Sequence, residues 1–127
     1  MEHLVLVLSL SIAGGVGAGC RFVLDGIIKS RTIIAFPIGT MIVNIAGSFL
    51  LGLITGFAIS HSMPEAWRTI LGVGFCGGFT TFSTASFETV RLAQQRRFSA
   101  AALNAFGMLL GSLLAAGLGV WLGSLSI

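Results

Sequence analysis

Four apolar stretches take up most of this chain: about Leu4 to Leu24, Ile38 to Ile59, Trp67 to Val90 and Phe98 to Leu125. Each approaches or exceeds the roughly 20 residues with which a helix crosses a hydrocarbon core. Inside that core every backbone polar group needs a protein partner, so the stretches can only be helices packed on one another. Composition agrees, with 55% of residues hydrophobic, 9% charged and no tyrosine, which excludes a soluble domain. The expectation is an all-α membrane protein, residues 1–127 forming one domain of four transmembrane helices joined by three short loops.

The loops follow from the residues between the spans. Asp25 to Phe36 carries most of the first, and Pro37 suits the first turn of the second helix, where its missing donor costs little. Ser62 to Glu65 forms the second, with Pro64 and Glu65 opening the third helix. The third runs near Gln94 to Phe98. Glu2 replaces the positive leader of a signal peptide and three more spans follow, so the first span is expected to be retained. Lys29, Arg31, Arg91, Arg96 and Arg97 fall on one side, against Arg68 on the other. By the positive-inside rule this bias places both termini outside. The net charge of +3 is scattered at span ends and forms no basic stripe, so no nucleic-acid partner is expected. Cys20 and Cys76 sit in different spans without metal spacing and read as small core residues, with no functional disulfide.

The third span holds the unusual segment, Gly74-Phe75-Cys76-Gly77-Gly78-Phe79-Thr80-Thr81-Phe82-Ser83-Thr84. A double glycine followed at once by hydroxyls predicts a break in this helix, tolerated only where protein or a water path covers the freed groups. Exposed amides, hydroxyl donors and the positive ring edges of Phe82 and Phe87 suit a small anion. Freed carbonyls equally suit a small cation. On the second helix Thr40, Asn44, Ser48 and Thr55 share one face. Interhelical hydrogen bonding accounts for Ser48 and Thr55, whereas the Asn44 amide is costly to leave unpaired in hydrocarbon and is a candidate ligand. Arg21 and Glu88 are the ionisable residues nearest the hydrocarbon. Arg21 either shapes a vestibule field or pairs with Asp25, and Glu88 lies within reach of Arg91. Trp67 and Trp121 read as interface residues. The remaining glycines, among them Gly14, Gly15, Gly17, Gly19, Gly52, Gly56, Gly107, Gly111, Gly119 and Gly123, read as close helix packing. Four helices of this size enclose little by themselves, so oligomerisation is expected.

Gly17-Ala18-Gly19-Cys20-Arg21, Gly39-Thr40-Met41-Ile42-Val43-Asn44 and Gly74 through Thr84 resemble the CrcB or Fluc fluoride channels. The resemblance covers all four spans. It implies an antiparallel dimer with two narrow pores that passes fluoride passively out of a prokaryotic cell across its plasma (inner) membrane, conferring fluoride resistance, with no catalysis and no organic cofactor. Carried over by position, the backbone carbonyls of Gly77 and Thr80 would hold a structural sodium ion with the matching pair of the second subunit. Asn44 and Phe82 would contact fluoride, Ser83, Thr84 and Ser112 would line the polar wall, and Arg21 would set its electrostatics.

The chain departs from the family pattern at Ala85, where a second phenylalanine is usual, and along Met108, Ser112 and Ala116, a stripe commonly more polar. With the uneven loop charge, these departures raise an alternative: one subunit of a heterodimeric fluoride channel pair, its partner a homologous subunit instead of a second copy. A small multidrug-type proton-coupled exporter shares the size, but needs a membrane carboxylate that the first span lacks between Glu2 and Asp25. A non-transporting scaffold is the third reading. An enzyme is excluded because no nucleophile, base and orienting group recur together.

Overall fold

The computed structural model describes residues 2–125, which are helical without strands. Four helical spans are long and apolar enough to cross a membrane, making the chain a multi-pass membrane protein. Helix α1 covers Glu2–Arg31 and α2 Ile38–His61. The third span is composite: α3 (Glu65–Arg68), a π-helical segment (Thr69–Cys76), α4 (Gly77–Phe79), a break, and α5 (Ser83–Gln94). Helix α6 covers Phe98–Gly123. Leu4, Val7, Leu8, Leu110, Leu113 and Leu114 are exposed, as side chains that face lipid must be.

The first loop is shorter than expected, because α1 runs on to Arg31 and leaves only residues 32–37 outside helix. Pro37 stands at the N-cap of α2 and supplies no side-chain cap. The Asp25 carboxylate reaches across from α1 to lie against Gly39 in that first turn, placing negative charge at a helix N-terminus. The same carboxylate pairs with Lys29 at 2.9 Å, the only ion pair among the described residues. Arg21 therefore does not pair with Asp25, nor Glu88 with Arg91. Arg97 donates to the Ala35 carbonyl and ties the first and third loops together at the basic end. Trp67 and Trp121 are exposed at the opposite end.

Backbones approach most closely in two places, since in lipid small residues let helices gain contact where no hydrophobic force exists. Gly52 and Gly56 of α2 lie against the backbones of Ala116 and Val120 of α6, while Gly119 and Gly123 lie against Phe49, Gly52 and Leu53. The pair thus interlocks through two Gly-xxx-Gly repeats facing each other. On the other flank Gly17 meets the backbone of Phe75 and Phe79, and Gly78 meets that of Gly14. Gly15 and Gly19 face open space, so the packing expected of them does not occur within the chain.

Candidate functional site

The break falls at Thr80–Phe82, three residues beyond the first glycine thought to cause it. Gly77 keeps helical dihedrals (φ −61°, ψ −40°), and the chain turns extended only at Thr80 (φ −86°, ψ 162°). Gly78 is needed for close approach to α1, and Gly77 has nothing within 4 Å of where a Cβ would stand.

Several polar groups at the break are met from somewhere other than the helix ladder. Asn44 on α2 accepts from the Thr81 N–H at 2.8 Å through Oδ1 and donates to the Thr81 carbonyl at 2.8 Å through Nδ2, pairing with that residue as a neighbouring strand would. The Thr84 N–H donates to Thr81 Oγ1 at 3.1 Å. Arg21 Nε donates to the Gly78 carbonyl at 3.2 Å. The Thr80 hydroxyl and N–H both donate to the Cys76 carbonyl. Helical continuity would have delivered the Thr81 and Thr84 N–H groups to the carbonyls of Gly77 and Thr80. Both donors are engaged elsewhere, which frees two carbonyls at mid-span.

Two cavities meet at Thr81. A groove of about 880 Å³ lies between α2, the third span and α6, lined by Asn44, Gly77, Thr80, Phe82, Asn104 and Ser112 among others. A vestibule of about 240 Å³ on the α1 side is lined by Arg21, Asp25, Thr40, Thr81 and Thr84. Thr81 borders both, so Asn44 holds the wall that separates them. Arg21 carries positive charge into the vestibule, and Thr40, 4% exposed, lines it with no hydrogen bond from its hydroxyl among the described residues. Phe82 stands at the groove edge, 88% exposed. Ser83 lines neither cavity and is exposed.

Of the α2 stripe, Thr55 bonds to the Leu51 carbonyl of its own helix, and Ser48 lines the groove without a side-chain hydrogen bond. The interhelical bonds expected of both are absent among the described residues. Two contributions escaped the sequence reading. Asn104, 0% exposed, donates to Thr89 Oγ1 at 2.8 Å and leaves its own Oδ1 buried without a partner. Met108 accepts from Asn44 Nδ2 at 3.1 Å through its sulfur. Asn104 sits one turn before Met108 on the stripe that continues to Ser112 and Ala116, and that spacing was the available signal.

Comparison with known proteins finds related sequences that run across this segment. The profile of the family described as CrcB-like protein, Camphor Resistance (CrcB), matches residues 8–120. The protein named fluoride-specific ion channel FluC 1 of Leifsonia xyli subsp. xyli is 56% identical over 123 residues, covering 97% of this chain and 90% of the relative. FluC 2 of Cutibacterium acnes is 49% identical over 119 residues, 93% of this chain and 97% of its own length. The FluC of Geobacter sp. is 40% identical over 124 residues, 97% and 94% of the two chains. Because these matches run through all four spans and across the broken segment, the chain belongs to the CrcB family.

Proposed function

We propose that this protein is a fluoride-selective passive channel that lets cytoplasmic fluoride leave a prokaryotic cell across its plasma membrane and so protects against fluoride toxicity. The observation that carries the reading is the break at Thr80–Phe82, clamped by Asn44 between a mostly apolar groove that several hydroxyl residues border and an Arg21-bearing vestibule. The names of the relatives, all fluoride-specific ion channels, support it. They support neither a proton-coupled exporter nor an enzyme.

Fluoride is small, hard and strongly hydrated, so a path through hydrocarbon must replace its water with donors while avoiding fixed negative charge. Arg21 raises the local anion concentration at the vestibule, whose wall includes Thr84, while the charge of Asp25 there is offset by its pair with Lys29. On the groove side Asn44, Ser112 and the ring edge of Phe82 continue the path. Hydrogen fluoride enters a cell as a neutral acid and dissociates there. The membrane potential then drives the trapped anion outward without any energy-coupling group.

The exposed Phe82 and Ser83 and the open groove are read as surfaces completed by a second, antiparallel copy of the chain. The freed carbonyls of Gly77 and Thr80 suit a hard monovalent cation, and with their counterparts in the second copy they would hold a sodium ion. Bound there, it would supply fixed positive charge that joins the subunits. The test is fluoride efflux from liposomes containing only this purified chain, read with a fluoride-selective electrode. Fast efflux with chloride retained is expected, and liposomes that release fluoride no faster than protein-free ones refute the reading.

A further inference from the structure

The Asn44 amide makes three hydrogen bonds, and one differs in kind. Oδ1 and one Nδ2 proton are committed to the Thr81 backbone, each at 2.8 Å. The remaining Nδ2 proton points to Met108 Sδ at 3.1 Å, in a buried contact between side chains of α2 and α6. A thioether is a weak acceptor, whereas the carbonyl and amide partners around it are strong ones. This bond is therefore the one most easily exchanged.

The surroundings allow the exchange. Asn44, Met108 and Ser112 all line the groove, so a particle travelling along it meets the amide proton at the sulfur's position. Methionine has three rotatable bonds and little rotamer preference, and its sulfur can swing away while α6 stays where its glycines lock it to α2. Asn44 cannot follow the sulfur, because both of its ends are held by Thr81.

We infer that Met108 is a displaceable cap: its sulfur occupies the groove-facing Asn44 proton in the resting protein and is replaced there by an entering fluoride ion. The inference rests on the fluoride-channel reading and gives Met108 a positioning role that acts through Asn44. A hard, compact anion gains more from the amide proton than a soft sulfur does. A large halide gains less and must move the sulfur farther, so the cap discriminates in favour of the smaller ion.

The experiment uses the whole chain in lipid nanodiscs with its methionine methyl groups carrying carbon-13. The sequence has 4 methionines, and Met108→Leu identifies the signal. Titration with sodium fluoride is expected to shift the Met108 methyl resonance, and sodium chloride to leave it in place. In liposomes Met108→Leu, which keeps the volume and removes the acceptor, is expected to raise efflux at low fluoride by about two- to fivefold, at most the equivalent of one typical net hydrogen bond. Met108→Gln, whose amide oxygen binds the proton firmly, is expected to slow it. A Met108 methyl signal indifferent to fluoride, in a chain that conducts fluoride and whose Met108→Leu form keeps the wild-type concentration dependence, overturns the cap and leaves the channel standing. A wild-type chain that passes no fluoride overturns both. Should Met108→Leu not fold, the wild-type titration and Met108→Gln still decide.

Discussion

Replacing Asn44 by leucine removes the clamp on the helix break while roughly preserving side-chain volume. Three hydrogen bonds go: two to the Thr81 backbone and one to Met108. The last joins two side chains and vanishes with little left behind, since a thioether loses almost nothing when unpaired. The Thr81 N–H and carbonyl matter more, because Thr81 is not helical and has no neighbour along the chain to take over. Interhelical hydrogen bonds in membranes average ~0.6 kcal/mol, which for two gives a lower bound of about 1.2 kcal/mol. Buried backbone groups left unpaired cost about 1–3 kcal/mol each, an upper range of roughly 2–6. Thr81 borders both cavities and is half-buried, so water can reach part of it. The expected loss is therefore about 2 kcal/mol. Reversible unfolding in mixed detergent micelles measures it, and fluoride efflux from the same preparation should fall in parallel. Ser48→Ala serves as the control, because Ser48 lines the same groove and forms no side-chain hydrogen bond among the described residues. Were Asn44→Leu to lose fluoride flux while unfolding within about 0.5 kcal/mol of wild type, the residue would act on the ion alone and the clamp argument would fail.

At the packing crossings, Gly52→Ala drives a Cβ into the Ala116 backbone and is expected to destabilise by about 1–3 kcal/mol, whereas Gly117→Ala, with nothing within 4 Å, should be silent in the same unfolding assay. Gly78→Ala and Gly15→Ala form a matching pair, the first meeting the Gly14 backbone and the second open space. Arg96 holds a left-handed backbone (φ 59°) just past α5, so Arg96→Gly should stabilise the fold by about 1 kcal/mol, seen as a higher melting temperature in detergent. Exchange of sodium for a large organic cation should lower the thermal stability of the assembled protein, and lithium or potassium should restore it less well than sodium; stability indifferent to the cation would remove the sodium proposal.

Four spans, their order and the presence of a break were legible because length, hydropathy and the hydroxyl cluster after Phe79 are local signals. The position of the break was not. Glycine is read locally as a weak point, yet Gly77 and Gly78 remain helical, and the chain opens only where a residue from another helix, Asn44, offers backbone-like partners. Asn44 itself was recognisable because an amide in hydrocarbon demands a partner, but which partner depended on how α2 sits beside the third span. Arg21 failed as an Asp25 partner for a related reason. Spacing along α1 permits that pair, but one Asp25 oxygen is paired with Lys29 and the other is turned toward Gly39 of α2, and the Gly78 carbonyl stands free to take Arg21. Asn104 went unread because its stripe was noticed only from Met108 onward.

The π-helical segment at Thr69–Cys76 acts as a phase adjuster for everything that follows it. An α-helix turns about 100° per residue, and a π-turn absorbs an extra residue without lengthening the span by a full step. Upstream of Gly77 the segment must aim Gly74 at α1, and downstream the chain must present Thr80 and Thr81 toward α2. Tightening the wide turn to α with every residue kept would swing one of those two faces by about 100°, leaving either α1 or Asn44 without its counterpart. The rotation along this stretch is thus fixed from outside it, by two neighbours on opposite flanks.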